Sequence, residues 1–153
     1  MRRPITTRTH GMIDYGWAAV ATGLSKQMEG ATSTAQLLRT ASAVATANSL
    51  LTNYEFGALR ILPMREHLAV DYALAGTLLV SPLFLPASER RHAIWPTLLG
   101  LAGLAAALLT RPRSPLELGD EFGGLYGGDR EVSMVADHDA DIDASLPLRH
   151  QVE

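Results

Sequence analysis

Cysteine is absent from the 153-residue chain, which excludes disulfides, thiol nucleophiles and cysteine-ligated metals. That absence leaves the compartment open. A basic stripe is missing too. The 13 Lys and Arg are dispersed and the formal charge is −3, so no nucleic-acid partner is expected. The N-terminus lacks a signal-peptide core, because Asp14 interrupts the place where one would sit, and it reads as mature sequence. Charge is also missing from whole stretches. No permanently charged residue lies between His92 and Thr110, and only Asp71 lies between His67 and Ala87. Ten of the sixteen acids collect in residues 111–153. The mean hydropathy of +0.08 therefore averages an apolar body with a polar tail.

Familiar ligand loops are missing as well. Gly123-Gly124-Leu125-Tyr126-Gly127-Gly128 has no Lys-Ser/Thr to make a phosphate loop and suits a flexible linker. Asp137, Asp139, Asp141 and Asp143 alternate as in a calcium loop. The required Gly and Glu are replaced by Ile142 and Leu148, which leaves a solvated acidic tail. No catalytic constellation stands out, and no enzyme activity is expected.

What the chain does contain is a repeat. Arg-x-His-x-x-x-Asp-Tyr occurs as Arg8, His10, Asp14, Tyr15 and again as Arg65, His67, Asp71, Tyr72. Each copy opens a largely apolar segment that closes about forty residues later on Leu-Leu-Thr, at Leu50-Leu51-Thr52 and Leu108-Leu109-Thr110. Helix signals predict four helices, near residues 10–25, 35–54, 66–86 and 92–110. The chain thus divides into a domain of residues 1–113, built of hairpin repeats at about 8–54 and 65–111, and an acidic, Gly-rich tail, residues 114–153.

The fourth helix is apolar or small on every side, with Leu98, Leu101, Leu104 and Leu108 among Gly100, Gly103 and three alanines. A spanning helix needs about 20 apolar residues, and small residues suit close packing in lipid. The expected fold is all-α: a bundle of four transmembrane helices in two tandem hairpins, with an extended C-terminal tail. A soluble four-helix bundle is the alternative, and it requires a polar outer face that the fourth helix lacks. The positive-inside rule places both termini in the cytoplasm. Arg2, Arg3, Arg8, Arg60, Arg65, Arg111 and Arg113 fall on that side, against Lys26, Arg39, Arg90 and Arg91 on the other.

In this arrangement each His–Asp pair shares one helix face at i, i+4. The second helix adds Asn53, Tyr54 and Glu55 at the same level. The candidate cluster is Arg8, His10, Asp14, Tyr15, Tyr54, Glu55, Arg65, His67, Asp71 and Tyr72. It serves as a lock through Arg8/Asp14 and Arg65/Asp71 or their cross-repeat combinations, as axial His10 and His67 ligands to a haem, or as a proton or small-ion path. No cofactor is expected under the first reading, haem is the cofactor under the second, and no metal ion is assigned.

The run Arg3-Pro4-Ile5-Thr6-Thr7 leading into Thr9-His10-Gly11-Met12-Ile13-Asp14-Tyr15, with Leu51-Thr52-Asn53-Tyr54-Glu55 and Arg60-Ile61-Leu62-Pro63-Met64-Arg65, resembles the bacterial SPW-repeat membrane proteins. The resemblance covers about residues 3–113. It implies a small four-spanning protein of the bacterial inner membrane, with a duplicated hairpin, and it implies no activity. The Ser-Pro-Trp that gives the family its name is altered here to Ser81-Pro82-Leu83, with Leu24-Ser25-Lys26 at the equivalent place in the first repeat. The expected role is a non-catalytic integral membrane protein that stabilises a larger membrane complex, with the tail 114–153 binding the partner. A haem-binding or ion-handling membrane protein is the alternative, and a soluble helical enzyme is the third.

Overall fold

The computed structural model describes residues 3–28 and 30–119. The acidic tail, with its glycine run and alternating aspartates, lies almost wholly outside the described residues. Those described form an all-helical unit. Its main helices are α1 (Thr7–Gln27), α2 (Thr32–Leu51), α3 (Met64–Val80) and α4 (Ile94–Leu109), with short 3₁₀ turns at Ser81–Leu83 and Ala87–His92. Helix α1 packs chiefly on α2, and α3 on α4, so the sequence repeat is a repeat of hairpins.

Each element follows from local chemistry. Thr6 caps α1 by accepting the Thr9 N–H at 3.1 Å. Buried positions of α1 then recur at Thr7, His10, Gly11, Ala18, Ala21 and Ser25, the stripe of an amphipathic helix. Helix α2 presents Leu38, Ala41 and Ala45 with the polar Ser42, Asn48 and Ser49 on its buried side. Its polar residues are matched across the interface: the Ser42 hydroxyl donates to the Ala18 carbonyl at 2.8 Å. Helix α3 stops at Val80 because Pro82 has no N–H to continue it. The Ser81 hydroxyl takes over the Leu78 carbonyl at 2.8 Å. Helix α2 ends at Leu51, so Asn53, Tyr54 and Glu55 stand on the following loop rather than on its last turn. Far from that loop, the Glu89 carboxylate accepts the Thr34 and Ser33 N–H groups at 2.8 and 3.1 Å. This cap crosses from the second hairpin to the start of α2, and the Thr34 backbone bond above all holds the carboxyl below its usual range.

The membrane expectation is overturned by length and polarity together. Among the described residues no helix is long and apolar enough to cross a membrane. The apolar helices are the short ones: α3 has 17 residues and α4 has 16. At about 1.5 Å per residue α4 spans about 24 Å, against a hydrocarbon core of about 30 Å. Helices α1 and α2 reach 21 and 20 residues, but threonine, serine, asparagine and charged side chains dilute them. The multi-pass, inner-membrane placement and the orientation built on it are withdrawn with that finding.

The two hairpins are stitched by a pair of matching bridges. Ile5, ahead of α1, bridges Thr110, after α4; Leu62, ahead of α3, bridges Thr52, after α2. The bonds correspond one for one. Ile5 N–H donates to Leu109 O at 3.1 Å as Leu62 N–H donates to Leu51 O at 2.8 Å. Arg111 N–H reaches Ile5 O at 3.1 Å as Asn53 N–H reaches Leu62 O at 2.7 Å. Each Leu-Leu-Thr is therefore a helix end turned into extended backbone by the other hairpin. Ser114 and Glu117 close over this end, with Ser114 Oγ donating to Asn53 O at 2.7 Å and the Glu117 carboxylate accepting the Met64 N–H.

Candidate functional site

The i, i+4 spacing sets His10 over Asp14 on α1 and His67 over Asp71 on α3, and the two helices bring the pairs face to face. The Nε2 atoms of His10 and His67 lie 3.1 Å apart. Asp71 Oδ2 is 3.0 Å from His10 Nε2 and 3.1 Å from His67 Nε2. Asp14 answers with Oδ2 at 3.1 Å from His67 Nε2 and Oδ1 at 3.4 Å from His10 Nε2. The imidazoles are sealed, at 1% and 0% exposure, and each aspartate side chain keeps 12%.

A second layer of hydroxyls and amides holds these groups in place. Thr110 Oγ1 is 2.6 Å from Ala106 O and 2.8 Å from His10 Nδ1. Thr52 Oγ1 is 2.6 Å from Asn48 O and 2.8 Å from His67 Nδ1. Each hydroxyl proton goes to the helix carbonyl, so each hydroxyl oxygen accepts from the histidine, and Nδ1 must carry the proton in both rings. Both Nε2 atoms are thereby turned toward the carboxylates. Among the described residues, helix α2 alone supplies the donors behind those: Asn48 Nδ2 to Asp71 Oδ1 and Ser49 Oγ to Asp14 Oδ2, both at 3.1 Å. The corresponding stretch of α4 offers Ala106 and Ala107.

Electrostatics follow this geometry. Burial alone would lower His67, but hydrogen bonds to Asp14 and Asp71 outweigh it and push the imidazole up to about 9. Burial alone would raise Asp71, yet the bonds from His10 and His67 bring it down to about 2. Burial pushes the Tyr54 phenol up. Its ring lies 5.7 Å from that of His67, and its buried hydroxyl makes no hydrogen bond of ordinary geometry among the described residues.

These shifts set the pH profile of the ion-free chain. The His67 contribution is complete below its ordinary 6.5 and fades as pH rises through about 9. The Asp71 contribution is complete above its ordinary 3.8 and fades as pH falls through about 2. Stability from this pair should therefore peak between about pH 4 and 6.5. Urea midpoints across the range check this, and a midpoint that rises steadily from neutral pH to beyond pH 9 would contradict it.

The candidates drawn from sequence separate into three groups. His10, Asp14, His67 and Asp71 meet at the centre, and Tyr54 packs beside them. Tyr15, Tyr72 and Glu55 are tethers around it: Tyr15 Oη donates to Phe56 O at 3.2 Å, Tyr72 Oη to Ala107 O at 3.1 Å, and Thr7 Oγ1 to Glu55 Oε2 at 2.9 Å. Arg8 and Arg65 are exposed, and among the described residues neither bonds to an aspartate. The Arg–Asp locks do not form because six residues turn the helix by about 240°, placing the arginine away from its aspartate. Thr52, Thr110, Asn48 and Ser49 were not anticipated as parts of the centre. The repeated Leu-Leu-Thr was the available signal for the two threonines.

Chemically, the centre gathers four groups whose ligand atoms all lie within 4.8 Å of one another. With Nδ1 protonated, every unprotonated atom facing inward is an electron-pair donor, so the cluster calls for positive charge, as protons or as a metal ion. A bis-histidine haem fits poorly. Its two nitrogens would stand on opposite sides of a porphyrin about 4 Å apart, whereas here they are neighbours at 3.1 Å. No protein-family model, no curated protein and no solved structure matches the chain.

Proposed function

We propose that the chain is a non-catalytic helical protein that binds one divalent first-row transition-metal ion through His10 Nε2, His67 Nε2, Asp14 and Asp71. The observation that carries this is that each histidine Nε2 lies 3.0 to 3.4 Å from an oxygen of each aspartate and 3.1 Å from the other Nε2, with one ligand atom per residue all within 4.8 Å of one another. Bonds of about 2.0 Å in a tetrahedral site put neighbouring ligands about 3.3 Å apart. Two further features support it. Two carboxylates neutralise a divalent ion, which a buried site demands. Threonine hydroxyls on both Nδ1–H groups are the outer partners that metal-binding histidines require.

Zinc calorimetry on the whole chain tests the proposal, with one ion bound per chain as the expected result. At free zinc about 100 times Kd, the stabilisation should be about 2.7 kcal/mol, a rise in Tm on the order of 10 °C. No heat and no change in Tm would reject it and leave a protonated His/Asp lock. The outer layer gives a finer check. Thr52→Val keeps the shape and removes the oxygen that fixes the His67 tautomer. Zinc affinity should fall by about 10- to 100-fold, and an unchanged value would show that the hydroxyl does not orient the ring.

One observation favours an accessory role in a larger assembly. Helix α4 leaves Trp95, Leu98, Leu101 and Leu108 exposed, large apolar side chains along one helix of the kind that a partner covers. The native mass in a gentle extract decides this. A species of 16.4 kDa would remove the role, and a heavier one with other subunits would support it.

A further inference from the structure

We propose that an ion that takes more than four ligands, such as ferrous iron, keeps an open position at this centre on the carboxylate side, and that this position takes a neutral diatomic ligand. The inference rests on the metal reading above and names what the bound ion would do.

A cavity of about 30 Å³ lies between the helices against Asp14 and Asp71. Neither histidine lines it. The imidazoles occupy the other side of the centre, where Thr52 and Thr110 hold them. An added ligand therefore approaches the ion past the carboxylates. The volume admits one or two water-sized groups.

The walls choose among small ligands. Apart from the two aspartates they are apolar or small: Ile13, Trp17, Leu74 and Leu99 with alanines and Gly103. The one N–H that could greet an anion, Trp17 Nε1, already donates to Leu99 O at 2.9 Å. An anion would thus face two carboxylates with no donor to offset them. A neutral diatomic meets no such penalty. Two histidines and two carboxylates also leave ferrous iron, which takes up to six ligands when bound by histidine and carboxylate, with positions to fill.

The test uses the full chain loaded anaerobically with ferrous iron and titrated with nitric oxide. The iron–nitrosyl adduct is read by its half-integer-spin EPR signal. One nitrosyl per iron is expected, with azide, a small anion, binding more weakly by on the order of tenfold or more. Gly103 supplies the local control. A β-carbon there would sit 3.8 Å from Trp17 Nε1 and 3.9 Å from Ala75 Cβ, ordinary contact distances. Gly103→Ala should therefore fold, and Gly103→Val should fill more of the chamber. Nitric oxide affinity should fall in that order, by on the order of tenfold for valine, while iron content stays at one per chain. Iron uptake without a nitrosyl signal, a preference for azide, or nitric oxide affinity indifferent to Gly103→Val would each overturn this proposal and leave the metal site standing. Failure to take up iron would overturn this proposal alone, and failure to take up zinc as well would remove both.

Discussion

Replacing Asp71 with Asn should abolish tight metal binding, lowering affinity by at least about a hundredfold and erasing the rise in Tm produced by zinc. Asp71 Oδ2 reaches both histidines, at 3.0 and 3.1 Å, so it is the one carboxylate oxygen central to the whole set. Asparagine preserves size and can still accept from Asn48. What it removes is charge. A divalent ion would then be balanced by Asp14 alone and would leave a net positive charge among sealed imidazoles, a costly arrangement in a poorly solvated site. Asp14→Asn should be milder, because Asp14 meets His10 only at 3.4 Å. Competition against a chromophoric chelator measures both variants. An Asp71→Asn chain that binds zinc within threefold of the parent, as about 0.7 kcal/mol or less, would refute the assignment.

Gly57→Ala should be the most damaging single substitution for the fold. A β-carbon at Gly57 would fall inside the Thr52 carbonyl oxygen. That carbonyl is backbone and cannot rotate aside, since it accepts the Tyr54 N–H at 3.0 Å while Gly57 N–H donates to Tyr54 O at 3.1 Å. The turn holds Thr52 against His67 and Tyr54 beneath the centre, so relieving the clash dismantles both. The expected loss is about 3 kcal/mol or more, seen as a lower urea midpoint with an unchanged slope. Gly103→Ala, with room around it, provides the contrast and should be near neutral. A Gly57→Ala chain as stable as the parent would mean that the 52–57 turn is not held as described.

Which parts of this were legible from residues alone follows from the range of the forces involved. His10 with Asp14, and His67 with Asp71, are set by helical spacing, so their pairing could be read directly. The hairpin repeat was equally plain, because the pattern recurs with its closing Leu-Leu-Thr. What escaped were features decided by contact between hairpins. Thr52 and Thr110 gain their role only because Leu62 and Ile5 pull them into extended backbone. Asn48 and Ser49 lie on a helix whose polar residues gave no sign of which neighbour they would meet. The lengths of α3 and α4 were overestimated for a local reason. Hydrophobicity continues through Leu83 to Leu85 and back from Ala93, but Pro82 ends the first helix and the 3₁₀ turn at Ala87–His92 precedes the second. With them went the membrane expectation. The arginine locks failed for want of the correct turn of the helix, although Arg is the stronger cation.

The matched hairpins would also determine how affinity for the proposed ion arises. One hairpin carries one His and one Asp, a two-toothed chelate too weak to retain an ion by itself. Cut apart, two hairpins would have to find each other, and their grip on metal would depend on protein concentration. The short connection from Thr52 to Pro63 turns that encounter into an intramolecular event, presenting the second pair of teeth at an effective concentration on the order of millimolar. In the joined chain, the affinity for the ion would therefore be independent of protein concentration.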